Sequence, residues 1–259
     1  MHELPLVFFT VFGQTAAGAL ILLMISKQLK HINEVQFRNG LCVSMALMCI
    51  GLLAGATHVG NPFRMINMLA GVGQSPMSNE IVAAGLFTGL GVLTAAGLTF
   101  RKLSEKQSVV LGWASAVAGL LFILSVPFVY QLETVSTWNT QHSTWQMLLT
   151  TLVGGGALAL VFGATRLGGL TVLLGGMLTL IAKPDYLAFL AQTEPTLSAA
   201  QSGLWVFQSL MLVAGFALSA FMMRKPVSNL AMPILCAAFL VTGELAGRIV
   251  FYNLWTITM

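Results

Sequence analysis

The sequence predicts an all-α integral membrane protein, a bundle of eight transmembrane helices. Of the 259 residues, 57% are hydrophobic and only 8% are charged, whereas a soluble domain carries about 25% charged residues. Apolar stretches without charge recur along the chain, each close to the roughly 20 residues that cross a bilayer as a helix. This composition excludes a soluble enzyme and a disordered chain. The three cysteines lie in apolar segments without metal-binding or disulfide-framework spacing.

The charge-free stretches place eight spans in one domain, 1–259. The first stretch lacks a basic n-region and is too long for a signal-peptide core, so we expect it to remain as a span. Pro127 falls in the last turn of the fourth span, and the sixth span is short. The predicted spans are about 5–26, 40–57, 80–100, 108–130, 144–163, 167–182, 204–223 and 229–254.

Basic residues fix the expected orientation. The loops after the first, third, fifth and seventh spans hold nine of them, and the opposite side holds two, Arg64 and Lys183. Since loops rich in Lys and Arg stay in the cytoplasm, both termini are predicted outside, in the periplasm of a bacterium. The protein is then a multi-pass protein of the bacterial inner membrane. The nine are Lys27, Lys30, Arg38, Arg101, Lys102, Lys106, Arg166, Arg224 and Lys225.

Aromatic residues collect at the predicted outer ends of the spans. Two interpretations stand: ordinary anchoring at the membrane interface, or a surface on which a partner docks. The residues are Tyr130, Trp138, Trp145, Tyr186, Trp205, Tyr252 and Trp255.

Glycines at close spacing predict helix–helix contacts. Small residues four apart on one helix let two backbones approach. The candidates are Gly51 with Gly55, Gly85 with Gly89, the Gly154–Gly156 run and the Gly175–Gly176 pair.

A first polar group lies between the second and third spans. His58 is at the predicted outer interface, Arg64 follows in the loop, and Ser78 is placed to cap the third span. Glu80 then falls in the first turn, where helix amides and the helix dipole favour a carboxylate. The group has two interpretations: a helix-start carboxylate, or part of a functional site, because the same stretch also supplies an imidazole and a guanidinium.

A second polar group lies inside the predicted spans. Glu244 and Arg248 are four residues apart, the better order for an ion pair on one helix face. Both belong to the outer part of the bilayer, and they form either a structural pair or part of a site. Gln14 lies about two and a half turns into the first span, where an amide forms an interhelical hydrogen bond or contacts a ligand.

These side chains suit a quinol. Its tail needs lipid-like walls, its ring needs hydrogen-bond donors and acceptors, and its oxidation releases two protons to bases. His58 and Glu80 can accept protons, and Arg64 and Arg248 can donate hydrogen bonds. We expect no haem, because the sequence pairs no histidines in mid-membrane. We likewise expect no iron–sulfur cluster, molybdopterin, bound metal or nucleic acid in this chain, so that a partner must take the electrons.

Three motifs resemble the membrane anchor subunit of anaerobic dimethyl sulfoxide reductase, within the wider group of polysulfide-reductase-type anchors. The opening His2-Glu3-Leu4-Pro5-Leu6 leads into Phe9-Thr10-Val11-Phe12-Gly13-Gln14. The stretch His58-Val59-Gly60-Asn61-Pro62-Phe63-Arg64 is followed by Ser78-Asn79-Glu80-Ile81. Near the end stand Gly243-Glu244-Leu245, Gly247-Arg248 and Phe251-Tyr252.

The resemblance implies an eight-helix anchor that binds a molybdopterin catalytic subunit and an iron–sulfur subunit at the periplasmic face. It implies oxidation of menaquinol in anaerobic respiration, with electrons passed to the iron–sulfur subunit and no terminal reductase chemistry in this chain. It links quinol binding to His58 and Glu80. Arg64, Gln14, Glu244 and Arg248 join the predicted site from their polarity and depth alone.

Other functions stay open at this point. Polysulfide and tetrathionate reductase anchors share the eight-helix plan, and the middle spans match only in number and hydropathy. A secondary transporter would place its site near the midplane of inverted repeats, and we see no convincing repeat in the sequence. A purely structural anchor without a quinol site is the last alternative.

Overall fold

The computed structural model describes residues 3–59, 65–225 and 229–255 and is helical throughout its long elements. Eight helices in this part of the protein are long and apolar enough to cross a membrane. The helices are α1 Leu4–Gln28, α2 Glu34–His58, α3 Met65–Met68, α4 Pro76–Thr99, α5 Glu105–Val129, α6 Gln141–Val161, α7 Thr165–Thr193, α8 Pro195–Ala200, α9 Ser202–Arg224 and α10 Ala231–Asn253. A 3₁₀ turn, Leu69–Gly71, precedes α4.

The long helices form two rings of four. In the first half, α1, α2, α4 and α5 pack around one core, and in the second half α6, α7, α9 and α10 pack around another. The halves meet where α1 crosses α6, with α1 also touching α10 and α5 touching α6. Because α1 and α6 both start from the same end of the bundle, the four long helices of each half follow one another in the same order and direction.

Alternate helices begin and end at the same end of this up-and-down bundle. We call the end at which α1 begins and α10 ends the termini end. The connections there, at 59–75, 130–140 and 194–201, are longer than those at the opposite end, at 29–33, 100–104, 162–164 and 225–230. Asn33 and Ser104 open α2 and α5 with capping boxes, and Gly163 closes α6 at φ +87°, a backbone conformation suited to glycine.

Glycines bring the two halves into contact. A Cβ on Gly155 of α6 would lie 2.7 Å from Cα of Gly18 on α1, and one on Gly175 would meet Leu152 at 2.8 Å. The predicted close approach is thus confirmed for the glycines of α6 and α7, and also for Gly51 and Gly55 against α1. It is wrong for Gly85 and Gly89, which face outward with nothing within 4 Å in the described structure.

The sixth long helix differs most from its predicted bounds. The expectation was a short span at 167–182 with Lys183 in a loop, but α7 has 29 residues and holds Lys183 and Pro184 in its interior. A Lys-Pro-Asp sequence resembles a loop because proline removes a backbone donor. Helix hydrogen bonding continues past it because apolar residues on the far side, such as Leu190, bury against α9 and α10 in a small core of their own.

Substitution of Gly155 tests the contact between the halves. Gly155→Ala places a methyl group against the backbone of α1, which moves aside less readily than a flexible side group. We expect the free energy of unfolding to fall by about 1–3 kcal/mol. The measurement is the thermal unfolding midpoint of the purified protein in detergent.

Gly85→Ala is the matched control, since it makes the same chemical change at a position open to the surroundings. Its midpoint should stay the same or rise. Equal losses of stability in both variants would show that the crossing does not depend on glycine.

Candidate functional site

A buried arginine joins both halves of the bundle near the termini end. Arg248 of α10 donates from Nη2 to Oε1 of Gln14 on α1 at 2.8 Å and to Oγ1 of Thr150 on α6 at 3.2 Å. All three side chains are buried. An unpaired cation at this depth is costly. Arg248 is paired with one acceptor from each half, Gln14 on α1 and Thr150 on α6.

Glu244 completes this network through a threonine. The direct Glu244–Arg248 ion pair predicted from their spacing is wrong: among the described residues neither makes a salt bridge, and Thr150 lies between them. Its hydroxyl lies 2.6 Å from Oε2 of Glu244 and can donate to it while accepting from Arg248. The pair is therefore neither a simple structural salt bridge nor exposed.

Glu80 lies in the second turn of α4 rather than the first. The helix begins at Pro76 with Ser75 at the N-cap, and Ser78 is a buried residue inside the helix, so its predicted capping role is wrong. Glu80 is only 4% exposed. Its Oε1 is buried without a hydrogen-bond partner in the described part of the protein, and the charge of Arg248 acts on its carboxyl group. A helix-start role does not explain a carboxylate placed in this way.

Two tyrosines lie beside Glu80. The hydroxyls of Tyr130 and Tyr252 hydrogen-bond to each other, and both groups interact electrostatically with Glu80. Trp138 and Phe251 stack with centroids 5.0 Å apart against this pair. Five of the seven predicted belt aromatics are thus buried side chains, whereas Trp145 and Trp255 are exposed. The five buried side chains pack inside the protein and are not lipid-facing anchors, so the interpretation as an interfacial belt stays a prediction for Trp145 and Trp255 alone.

His58 lies at the termini end of α2, away from the Arg248 network. Its Nε2 is 3.5 Å from Oε2 of Glu3, and both side chains are partly exposed. In the described part of the protein, the polar partner of His58 is Glu3. Glu3 was not among the site residues predicted from the sequence. Arg64 lies outside the described residues.

The sequence also missed a lysine in the second half. Nζ of Lys183 on α7 donates to Oε1 of Gln208 at 2.8 Å and to Oγ of Ser209 at 2.9 Å, both on α9. Its charge acts on Glu244. Apolar residues continue in the sequence beyond Lys183, and this pattern was the signal from which a longer helix could have been predicted. The polar groups therefore extend from Glu80 in the first half to Lys183 in the second.

Comparison with known proteins fits this arrangement. A family model described as "DMSO reductase anchor subunit (DmsC)" matches residues 1–254. The chain belongs to the family of DMSO reductase anchor subunits. As an anchor subunit, it is a multi-pass membrane component of a DMSO reductase complex, with catalytic and iron–sulfur subunits as its partners.

Three similar proteins are named as chains of anaerobic dimethyl sulfoxide reductases. The anaerobic dimethyl sulfoxide reductase subunit YnfH of Escherichia coli is 30% identical, and the match covers 98% of this protein and 95% of the relative. The C subunit of anaerobic dimethyl sulfoxide reductase in E. coli is 29% identical with the same coverage. The C subunit from Haemophilus influenzae is 36% identical over 60% of this protein and 56% of its own length.

Thr150→Val tests the bridge between Glu244 and Arg248. Valine keeps the shape of threonine but leaves a buried carboxylate oxygen and a guanidinium nitrogen without their shared partner. We expect a loss of about 1–3 kcal/mol in the free energy of unfolding, measured as the thermal unfolding midpoint in detergent.

Thr94→Val provides the control. Thr94 is also buried, but its hydroxyl bonds only to the carbonyl of Leu90 in its own helix, as far as the described residues go. If both variants lose the same stability, the bridge contributes nothing beyond a generic threonine hydroxyl.

Proposed function

We propose that this DMSO reductase anchor subunit oxidises menaquinol at the termini end of the bundle. The two electrons pass to the iron–sulfur subunit, which sends them to the molybdopterin catalytic subunit. The termini end faces the periplasm in this proposal, and the membrane is the bacterial inner membrane. The distribution of basic residues supports that orientation, because nine of them lie toward the opposite end.

The buried state of Glu80 carries the proposal. A carboxylate at membrane depth is costly and marks a functional site by default. Glu80 is four residues, about 6 Å along the helix, from the start of α4, and one of its oxygens lacks a partner among the described residues. A hydroxyl group of a quinol could supply that missing partner.

A surface groove near the start of α4 has nearly the size that a ring requires, although Glu80 itself does not line it. It has a volume of about 240 Å³ and is lined by Gln74, Pro76, Asn79, Ser125 and Phe128, at the start of α4 and the end of α5. Small-molecule sites occupy about 300–1,000 Å³, so modest movement of these side chains would admit a ring. Asn79 is the residue before Glu80.

The residues fit the chemistry of quinol oxidation. The quinol loses two electrons and two protons, and the electrons leave to the partner subunit. Glu80 is placed to accept one proton, and the His58–Glu3 pair, nearer the surface, can accept the other. Arg248 and Gln14 can orient oxygen atoms by hydrogen bonding, Glu244 balances the charge of Arg248, and Arg64 is proposed as a further donor.

The long connections support docking of the partners at the same end. Electron transfer requires the iron–sulfur subunit to lie close to the quinol, and the termini end has three connections that are longer than those at the opposite end. Thr137 and Trp138, in one of those segments, bond to the carbonyls of Leu254 and Phe251 and so hold the end of α10. The proposed docking surface would therefore be hydrogen-bonded to the end of α10, the helix that carries Glu244 and Arg248.

Variants of His58 and Glu80 test the proposed site. In the assembled complex, His58→Arg and Glu80→Gln each remove a proton acceptor, and we expect quinol-driven reduction of DMSO to fall by about 10²-fold or more. A soluble artificial donor that reduces the partner subunits directly should sustain the full rate in both variants.

Glu105→Gln, an exposed carboxyl at the opposite end of the bundle, is the control and should behave as the unmodified protein. Unchanged electron flow from quinol in both His58→Arg and Glu80→Gln would show that the site assignment is wrong.

The side of proton release gives a second test. The quinol releases two protons toward the termini end, and reduction of DMSO to dimethyl sulfide and water takes up two protons on the same side. Turnover should therefore produce no net pH change and no membrane potential. Oriented proteoliposomes containing the complex, with pH-sensitive and potential-sensitive dyes, provide the measurement. Proton release at the opposite face contradicts the proposal.

A further inference from the structure

A small polar cavity lies in the second half of the bundle, separate from the groove near the start of α4. Its volume is about 50 Å³. Four ionisable side chains, from α6, α7 and α10, line it together with Arg248. They are His142, Lys183, Tyr186 and Glu244.

Three buried polar atoms on the wall of this cavity lack partners among the described residues. They are Oε1 of Glu244, the hydroxyl of Tyr186 and Nε1 of Trp205. Leaving each unsatisfied costs about 1–3 kcal/mol. Because the three residues converge on one cavity, a single kind of occupant can satisfy all of them.

The size and polarity of the cavity select water as that occupant. A water molecule needs about 10–15 Å³ of such volume, so the cavity holds about three or four. Small organic ligands occupy sites of about 300 Å³ or more. The orphaned atoms include an indole donor and a carboxylate acceptor, and water satisfies both types.

One histidine links the cavity to an exposed carboxylate. His142 lies on its wall, and its Nε2 is 3.7 Å from Oδ2 of Asp185, whose side chain is 82% exposed. The other charged groups around Glu244 are poorly suited to relaying a proton. Arg248 stays protonated in proteins, and Lys183 uses its three donors on Gln208, Ser209 and the carbonyl of Trp205.

We propose that this cavity holds a water cluster through which Glu244 exchanges protons with solvent at the termini end by way of His142 and Asp185. A proton passes from the Glu244 carboxyl group to the nearest water. The water cluster passes one proton to His142, and the His142 imidazolium releases one proton to solvent. No electron moves. Thr150 joins Glu244 to the Arg248 network, so the route is an exit for a proton of the quinol, and in that use it rests on the proposed function.

Infrared spectroscopy of the reconstituted complex tests the route without requiring turnover. Glu244→Gln identifies the carboxyl C=O band of Glu244, and its shift after transfer from H₂O to D₂O measures proton exchange. We expect prompt exchange in the unmodified complex and exchange slower by about 10²-fold in His142→Phe, which removes the relaying group.

Ala182→Leu gives a second variant, because it adds bulk to the cavity lining on α7 without altering a titrating group. It should slow exchange in the same direction. His31→Phe is the matched control, since His31 is exposed at the opposite end of the bundle, and it should exchange at the unmodified rate.

Two outcomes overturn the proposal: a Glu244 carboxyl that never protonates between about pH 4 and pH 9, or exchange at the unmodified rate in both His142→Phe and Ala182→Leu. The infrared result is independent of quinol chemistry. If the unmodified complex fails to oxidise menaquinol while Glu244 still exchanges through His142, the proposed function fails and the water route stands.

Discussion

The buried guanidinium of Arg248 imposes the constraint on which the rest of this structure depends. A permanent cation inside a lipid-embedded bundle must find acceptors in the protein, because the lipid supplies none. Gln14 on α1 and Thr150 on α6 supply them, and Thr150 also contacts Glu244. Satisfying one charge therefore fixes the relative positions of three helices and places both carboxylates, Glu80 and Glu244, within the electrostatic reach of Arg248.

Small residues make this arrangement possible. α1 and α6 come into backbone contact at Gly18 and Gly155, one turn deeper in the bundle than Gln14. Interhelical hydrogen bonds and close backbone packing are the two main sources of helix association in lipid. Here the close packing joins α1 to α6, and the hydrogen bonds of Arg248 join both of these helices to α10, so the contact between the two halves and the polar site share the same helices.

The sequence predicted the number of helices and singled out Glu80, Gln14, Glu244 and Arg248, because polar side chains within apolar segments stand out against their background. It could not predict how these groups pair. Thr150 and Gln208 are neutral residues of common types, and only the crossing of helices distant in sequence gives them charged partners. The sequence placed Lys183 in a loop because proline and aspartate follow it. The helix continues through Lys183 because the residues beyond the proline pack in a core of their own.

The central position of α1 has a consequence for biogenesis. α1 leaves the ribosome before α6 and α10, yet it packs against α6 and bonds to a residue of α10. The amide of Gln14 must therefore wait in the bilayer, or against a temporary neighbour such as α2, until α10 has been synthesised. A truncated protein lacking α10 would leave that amide without its arginine, and quality-control proteases that recognise polar groups in lipid could distinguish such a product from one that contains α10.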